Sequence, residues 1–192
     1  VVVGLGNPGS EYADTRHNAG FRAVDALAGK LARATGWTRS GGSLRAKGRA
    51  GRHDVTLVKP QEFMNRSGAT MRALLAEGWV LSELLVVYDD VYLPLGTIRI
   101  RPGGGSGGHQ GLESILASTG SGEFPRLRIG VGPAPRAQDL PEYVLAPFSE
   151  TEREAVPRVI EAAADCAFDA VAEGLAKAMN RWNRFGRDDL DE

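Results

Sequence analysis

Leu84-Leu85-Val86-Val87-Tyr88-Asp89-Asp90 is the stretch on which the fold turns. Residues 84–88 are apolar without interruption, the pattern of a strand buried on both faces of a parallel sheet rather than one with a solvated side. Two carboxylates close the run. Ligands of such sheets bind outside the carboxyl ends of the strands, so the acid pair marks a candidate site as well as a strand end.

Working outward, residues 1–5 form a short apolar strand that ends in a glycine-rich turn. Phe21, Val24, Leu27, Ala28 and Leu31 recur at helical spacing and predict an amphipathic helix over 18–35. Residues 39–52 are basic and glycine-rich, an exposed hairpin or mobile loop. A strand over 55–58 stops at Pro60. A helix over 64–77 places Met71, Leu74 and Leu75 inside and ends at Gly78. Beyond the acid pair, 97–101 alternates, with Ile98 and Ile100 inward and Arg99 and Arg101 outward. A glycine loop over 102–108 leads to a helix over 110–118 and a strand over 127–131. The last third is mostly helix over 149–179, with Ser149 and Glu152 spaced as a capping box. This order predicts an α/β fold, a single-domain three-layer sandwich with helices around a twisted mixed β-sheet. The one domain spans 1–192, with 186–192 a disordered acidic tail.

Composition narrows the class. With 42% hydrophobic and 24% charged residues, the chain is that of an ordinary globular protein. No apolar run approaches the roughly 18 residues of a membrane span, and Val1-Val2-Val3 has no basic lead of a signal peptide. An opening residue other than Met implies that a few residues precede Val1. The lone Cys166 excludes an internal disulfide and a multi-cysteine zinc site, and the expected compartment is the cytoplasm. The net charge of −1 hides an uneven spread. Residues 150–192 hold 11 acids and 6 bases, whereas 30–72 holds ten bases and two acids, a basic face suited to a polyanion.

Gly4-Leu5-Gly6-Asn7-Pro8-Gly9 satisfies the G-x-G-x-x-G pattern of a dinucleotide-binding turn. That reading also needs a helix opening inside the motif and an acid ending a second strand about 20 residues on. Asn7-Pro8 makes a turn instead, and the next strand begins only near Val55, so a nicotinamide cofactor is not expected. His17, in Thr15-Arg16-His17-Asn18, falls at a helix start near a strand end. The positive end of a helix disfavours imidazolium and would keep the ring neutral, as a general base requires. Asp89 or Asp90 can orient it by accepting from one ring nitrogen, and spacing does not choose between them. Asn65 is either an N-cap or a donor to a developing oxyanion. The 103–108 glycines before His109 lack the Lys-Ser/Thr of a P-loop, although their amides can approach phosphates closely. His17, His109, Asp89 and Asp90 could in principle ligate a metal, but no H-x-x-x-H pair supports that.

Taken together, these residues resemble the bacterial-type peptidyl-tRNA hydrolases along the whole chain. The match rests on the Gly4–Gly9 turn, Tyr12 with Thr15-Arg16-His17-Asn18, Phe63-Met64-Asn65-Arg66-Ser67-Gly68, Asp89-Asp90 with Leu93-Pro94, and the 103–111 loop. The resemblance implies hydrolysis of the ester between a peptidyl or N-blocked aminoacyl group and the tRNA 3′ ribose, with no metal or cofactor. It makes His17 the general base, Asp89 its orienting partner and Asn7 a further catalytic residue that favours an acylated α-nitrogen. It places Tyr12, Phe63, Met64, Asn65, His109 and Gln110 against the peptide or tRNA 3′ end, and Arg101 and Arg128 against tRNA phosphates. It also implies a monomer that needs no protein partner and no membrane. Three positions depart from the family pattern. Gln110 stands where Asn is usual, moving the amide by about 1.5 Å, Tyr88 where His is frequent, and Tyr92 where an acid is usual. These departures leave room for a member that binds RNA without cleaving it.

Overall fold

The structure, a computed structural model, describes residues 1–132 and 139–186. Strands β1 (Val2–Gly4), β4 (His53–Pro60), β5 (Leu85–Pro94) and β7 (Arg126–Gly132) form the parallel centre of a seven-stranded mixed sheet. Antiparallel strands flank them: β3 (Ser43–Ala50) and β2 (Thr38–Ser40) beyond β4, and β6 (Ile98–Arg101) beyond β7, in the order β2-β3-β4-β1-β5-β7-β6. This is the expected α/β sandwich.

Alternation along β5 explains the three layers. Leu85 and Val87 pack with Val2, Leu57 and the apolar faces of α1 (Ala19–Lys30) and α5 (Ala155–Ala172). Val86 and Tyr88 point the other way, into a second core with Met71 and Leu74 of α2 (Ser67–Ala76) and Leu112 and Ile115 of α3 (Gln110–Thr119). Because α1 follows β1 on one face and α2 follows the adjacent β4 on the other, a crevice opens at the carboxyl ends of these strands.

Several expectations are corrected. Helix α1 stops at Lys30 rather than at residue 35, because Leu31 is extended and Ala32 exchanges backbone hydrogen bonds with Arg49. The basic 39–52 segment is the hairpin of the two alternatives. Its strand β3 pairs with β4 from Ser43↔Pro60 to Ala50↔His53, with Ala46 and Ala50 buried. Arg99, expected to be solvated, is buried, and its Nη1 donates to the carbonyls of Ile98 and Phe185. The Ser149–Glu152 capping contacts form, but regular helix begins only at Ala155. Gly174, at φ 96°, then separates α5 from α6 (Leu175–Trp182). The acidic tail expected over 186–192 lies, apart from Gly186, outside the described residues.

Candidate active site

Glycines set the distance between α1 and the sheet. A Cβ on Gly20 would strike the backbone oxygens of Val87 and Leu5, and one on Gly4 would lie 2.5 Å from the Gly20 oxygen. One on Gly6 would lie 2.6 Å from the Phe21 ring. Two of the three glycines that imitate a dinucleotide fingerprint, Gly4 and Gly6, therefore serve helix–strand packing, whereas Gly9, at φ 117°, serves the turn. With α1 this close, the single helical turn Arg16–Asn18 before it sits over the middle of β5, where that strand runs past the carboxyl end of β1. The acid pair does not end the strand, as expected from sequence, because β5 continues to Pro94.

That placement brings His17 to Asp89. The His17 Nδ1 lies 2.9 Å from Asp89 Oδ1 and 3.0 Å from Oδ2, and Asp89 is 1% exposed. A second imidazole shares the carboxylate, with His109 Nε2 3.0 Å from Oδ1. Burial alone would push the Asp89 pKa up, but the charges and hydrogen bonds of His17 and His109 hold it well below the usual carboxylate range. An ionised carboxylate only accepts, so His17 carries its proton on Nδ1 and keeps a lone pair on Nε2. Burial also pulls the His17 pKa down. The Asp89 charge and hydrogen bond outweigh that effect, and the pKa ends above the ordinary 6.5. The helix-end argument for a depressed value is therefore overruled by the adjacent carboxylate.

The two acids divide their tasks. Asp90 Oδ2 accepts from Arg128 Nε at 2.6 Å, while Oδ1 accepts from the Tyr92 amide at 2.9 Å, the contact of a turn residue. Asn7 is locked from both ends. Its backbone N–H donates to Asn18 Oδ1 (2.7 Å), Asn18 Nδ2 donates to the Asn7 carbonyl (3.0 Å), and Asn7 Oδ1 accepts from the Met64 amide (2.8 Å). The Asn7 NH2 is left for the cleft. Asn65 is exposed and caps neither the Met64–Arg66 turn nor α2, so its carboxamide is free of the N-cap role. Tyr12 and Phe63 meet edge to face, ring centroids 6.3 Å apart.

The sequence model of the peptidyl-tRNA hydrolase family matches residues 1–189. The chain belongs to this family. It is 46% identical to the peptidyl-tRNA hydrolase of Aquifex aeolicus over 185 residues, covering 96% of each chain. Against that of Desulforudis audaxviator it is 47% identical over 186 residues, 96% of this chain and 93% of the relative. The crystal structure of the Acinetobacter baumannii peptidyl-tRNA hydrolase superposes with a TM-score of 0.88 at 35% identity, covering 96% and 94% of the two chains. The activity is accordingly peptidyl-tRNA hydrolysis.

A peptidyl-tRNA hydrolase must accommodate both an RNA end and a peptide, and the cleft has about 700 Å³ for them. All eleven site residues expected from sequence line it: Asn7, Tyr12, His17, Phe63, Met64, Asn65, Asp89, Arg101, His109, Gln110 and Arg128. Gln110 and Arg101 are exposed at its edge, whereas Arg128 is half-buried against Asp90. Sequence reasoning missed a wall of the cleft, the six-residue helix α4 (Leu140–Leu145). Arg16, buried beside His17, fixes that helix. Its Nη1 donates to the carbonyls of Tyr143, Ala146 and Pro147, its Nη2 donates to Glu152 Oε2 at 2.6 Å, and the guanidinium stacks 4.2 Å from the Tyr143 ring centre. Arg126 also lines the cleft. It ties the glycine loop, through Gly105 O (2.7 Å), to the segment before β7, through Gly122 O (2.9 Å). Of the four candidate metal ligands, donor atoms of His17, Asp89 and His109 lie within 4.8 Å of one another. Asp90 is drawn off by Arg128. A cation here would have to displace the protons of both imidazole–carboxylate hydrogen bonds.

Proposed function

We propose that His17 is the general base of ester hydrolysis in this peptidyl-tRNA hydrolase, with Asp89 as its orienting partner and Asn7 as a donor to the reacting carbonyl. The observation that carries the reading is the His17–Asp89 contact at 2.9 Å, on a ring that lines the cleft and whose Nε2 has no protein partner among the described residues. Water held against Nε2 loses a proton to it as the oxygen attacks the ester carbonyl. The imidazolium so formed is stabilised by Asp89 and returns the proton to the departing ribose 3′ oxygen. The Asn7 NH2, aimed by the Met64 amide that occupies its oxygen, donates to the carbonyl oxygen as negative charge develops there. Asn65 is a second carboxamide on the same wall.

Tyr12, Phe63, Met64 and Gln110 offer apolar and amide contacts to the peptide or tRNA 3′ end, and Arg101 and Arg128 offer positive charge to phosphates. A cleft built to pair with an amide leaves its groups mismatched when a free ammonium arrives, which favours N-blocked substrates. The same reading has the enzyme working as a cytoplasmic monomer. Among the described residues only Phe63, Val80, Tyr92 and Leu145 are large exposed hydrophobics, and all but Val80 line the cleft. No helix among the described residues is long and apolar enough to cross a membrane.

The test is cleavage of N-acetylated and free aminoacyl-tRNA by the wild type and by His17→Ala. The wild type should prefer the acetylated ester, and the variant should lose about 10²–10⁴-fold in kcat while keeping its circular dichroism. Near-normal turnover by His17→Ala would overturn the assignment.

A further inference from the structure

His109 is held on three sides. Its Nδ1 accepts from the amides of Gly111 (3.1 Å) and Leu112 (3.3 Å), which makes it the N-cap of α3. Its Nε2 lies 3.0 Å from Asp89 Oδ1, and the Tyr88 ring packs against it with centroids 5.0 Å apart. Amide N–H groups only donate, so Nδ1 must present a lone pair and the ring proton must sit on Nε2. The tautomer is therefore fixed by the helix terminus, and the Nε2–H donates to the same oxygen that His17 uses. Both ring nitrogens are spent inside the protein.

We propose that His109 is a positioning residue of the reaction, whose Nε2–H holds the shared Asp89 oxygen and limits how strongly that carboxylate binds the His17 ring. The proposal rests on His17 being the base. A carboxylate oxygen that already accepts one hydrogen bond is a weaker acceptor for the next, and the donor dipole points its positive end toward the site where imidazolium forms. His109 thus steadies Asp89 while tempering it, keeping more of His17 in the neutral form that takes a proton. The other charged or titratable groups around the pair are engaged elsewhere. Asp90 pairs with Arg128, Arg16 with Glu152, Arg126 holds loop carbonyls, and burial together with the Asp90 charge pushes the Tyr88 phenol up to about 12. Among the described residues, the two imidazoles are the only side chains hydrogen-bonded to Asp89.

Two substitutions separate the roles of the two ring nitrogens. The Asn amide oxygen falls where imidazole Nδ1 lies, so His109→Asn keeps the α3 cap and deletes the donor to Asp89. The Gln amide nitrogen reaches the Nε2 position, so His109→Gln keeps the donor and loses the cap. In His109→Asn, the acid limb of kcat/KM and the His17 imidazole titration followed by NMR should both move up by about 0.5–1 pH unit. Plateau kcat should fall several-fold, with KM within about twofold of wild type. His109→Gln should restore the wild-type pH profile at a lower melting temperature. An unmoved titration in His109→Asn, with damage confined to His109→Gln, would reduce His109 to a helix cap and overturn the proposal. A rise in KM in both variants with the profile unmoved would make it a substrate contact and equally overturn it. Failure of this inference stays distinct from failure of the base assignment, since only the latter leaves His17→Ala active.

Discussion

On the proposed mechanism the neutral imidazole of His17 is the species that accepts a proton from water, and Asp89 sets how much of it exists at a given pH. Burial draws the His17 pKa down and the carboxylate more than compensates. Replacing Asp89 with Asn removes the compensation and leaves the burial. The acid limb of kcat/KM should therefore shift to lower pH, while the plateau falls by about 10²-fold or more because the ring loses its fixed tautomer. A pH–rate series on Asp89→Asn checks both, and an unshifted limb would mean that Asp89 does not govern the titration. Only half of the choice of Asp89 over Asp90 was within reach of the sequence. Strand period places residue 89 with Leu85 and Val87, on the face that α1 covers, and residue 90 with Val86 and Tyr88. What the sequence does not carry is which face α1 takes, and so the parity stays unread until the fold is known. His109 was recognisable as a cleft residue. Its bond to Asp89 was not, since it joins a helix cap to the middle of a long strand through tertiary packing alone.

At the scale of elements, α1 controls the site by how closely it approaches β1 and β5. Gly20→Ala adds a methyl where the carbonyls of Leu5 and Val87 already stand. The gain in helix propensity, about 1 kcal/mol, does not offset the displacement of the helix. We expect a net loss of about 1–3 kcal/mol in denaturant-derived stability, and kcat should fall more than KM changes as His17 is moved off Asp89. A variant as stable and as active as wild type would show that the close approach is dispensable. The central strands and helices α1, α2 and α3 were legible because apolar periodicity reports burial directly. Helix ends were less so. Nothing local stops α1 at Lys30; the backbone of Ala32 leaves the helix because Arg49, distant in sequence, offers it paired hydrogen bonds. Helix α4 spans six residues, Leu140 to Leu145 with Pro141 second, too short for a period to emerge.

Over the whole molecule, the proposed catalytic pair sets stability and activity against each other. Asp89 is held below its ordinary 3.8, so its contribution to stability is present above pH 3.8 and is lost as pH falls through its lower folded value. His17 is held above 6.5, so its contribution is complete below pH 6.5 and is lost as pH rises through its folded value. Both act together between those two ordinary values, whereas the proposed mechanism needs His17 deprotonated. Melting temperature should therefore decline across the same alkaline-going range in which kcat/KM rises, and the decline should be absent in His17→Ala. Parallel melting curves for the two proteins across that range would remove the link. The three-layer architecture was legible from element order. The clamp on α4 was not, because Arg16 meets Glu152 across 136 residues of chain. That span has a consequence for synthesis. A growing chain still esterified to its own tRNA is itself chemically a substrate for this activity. The segment carrying His17 is made early, but its clamp and the α4 wall of the cleft come from residues translated much later. The cleft is thus walled in full only after Glu152 has left the ribosome, so a copy that ends before that residue lacks one side of the groove that would hold its substrate.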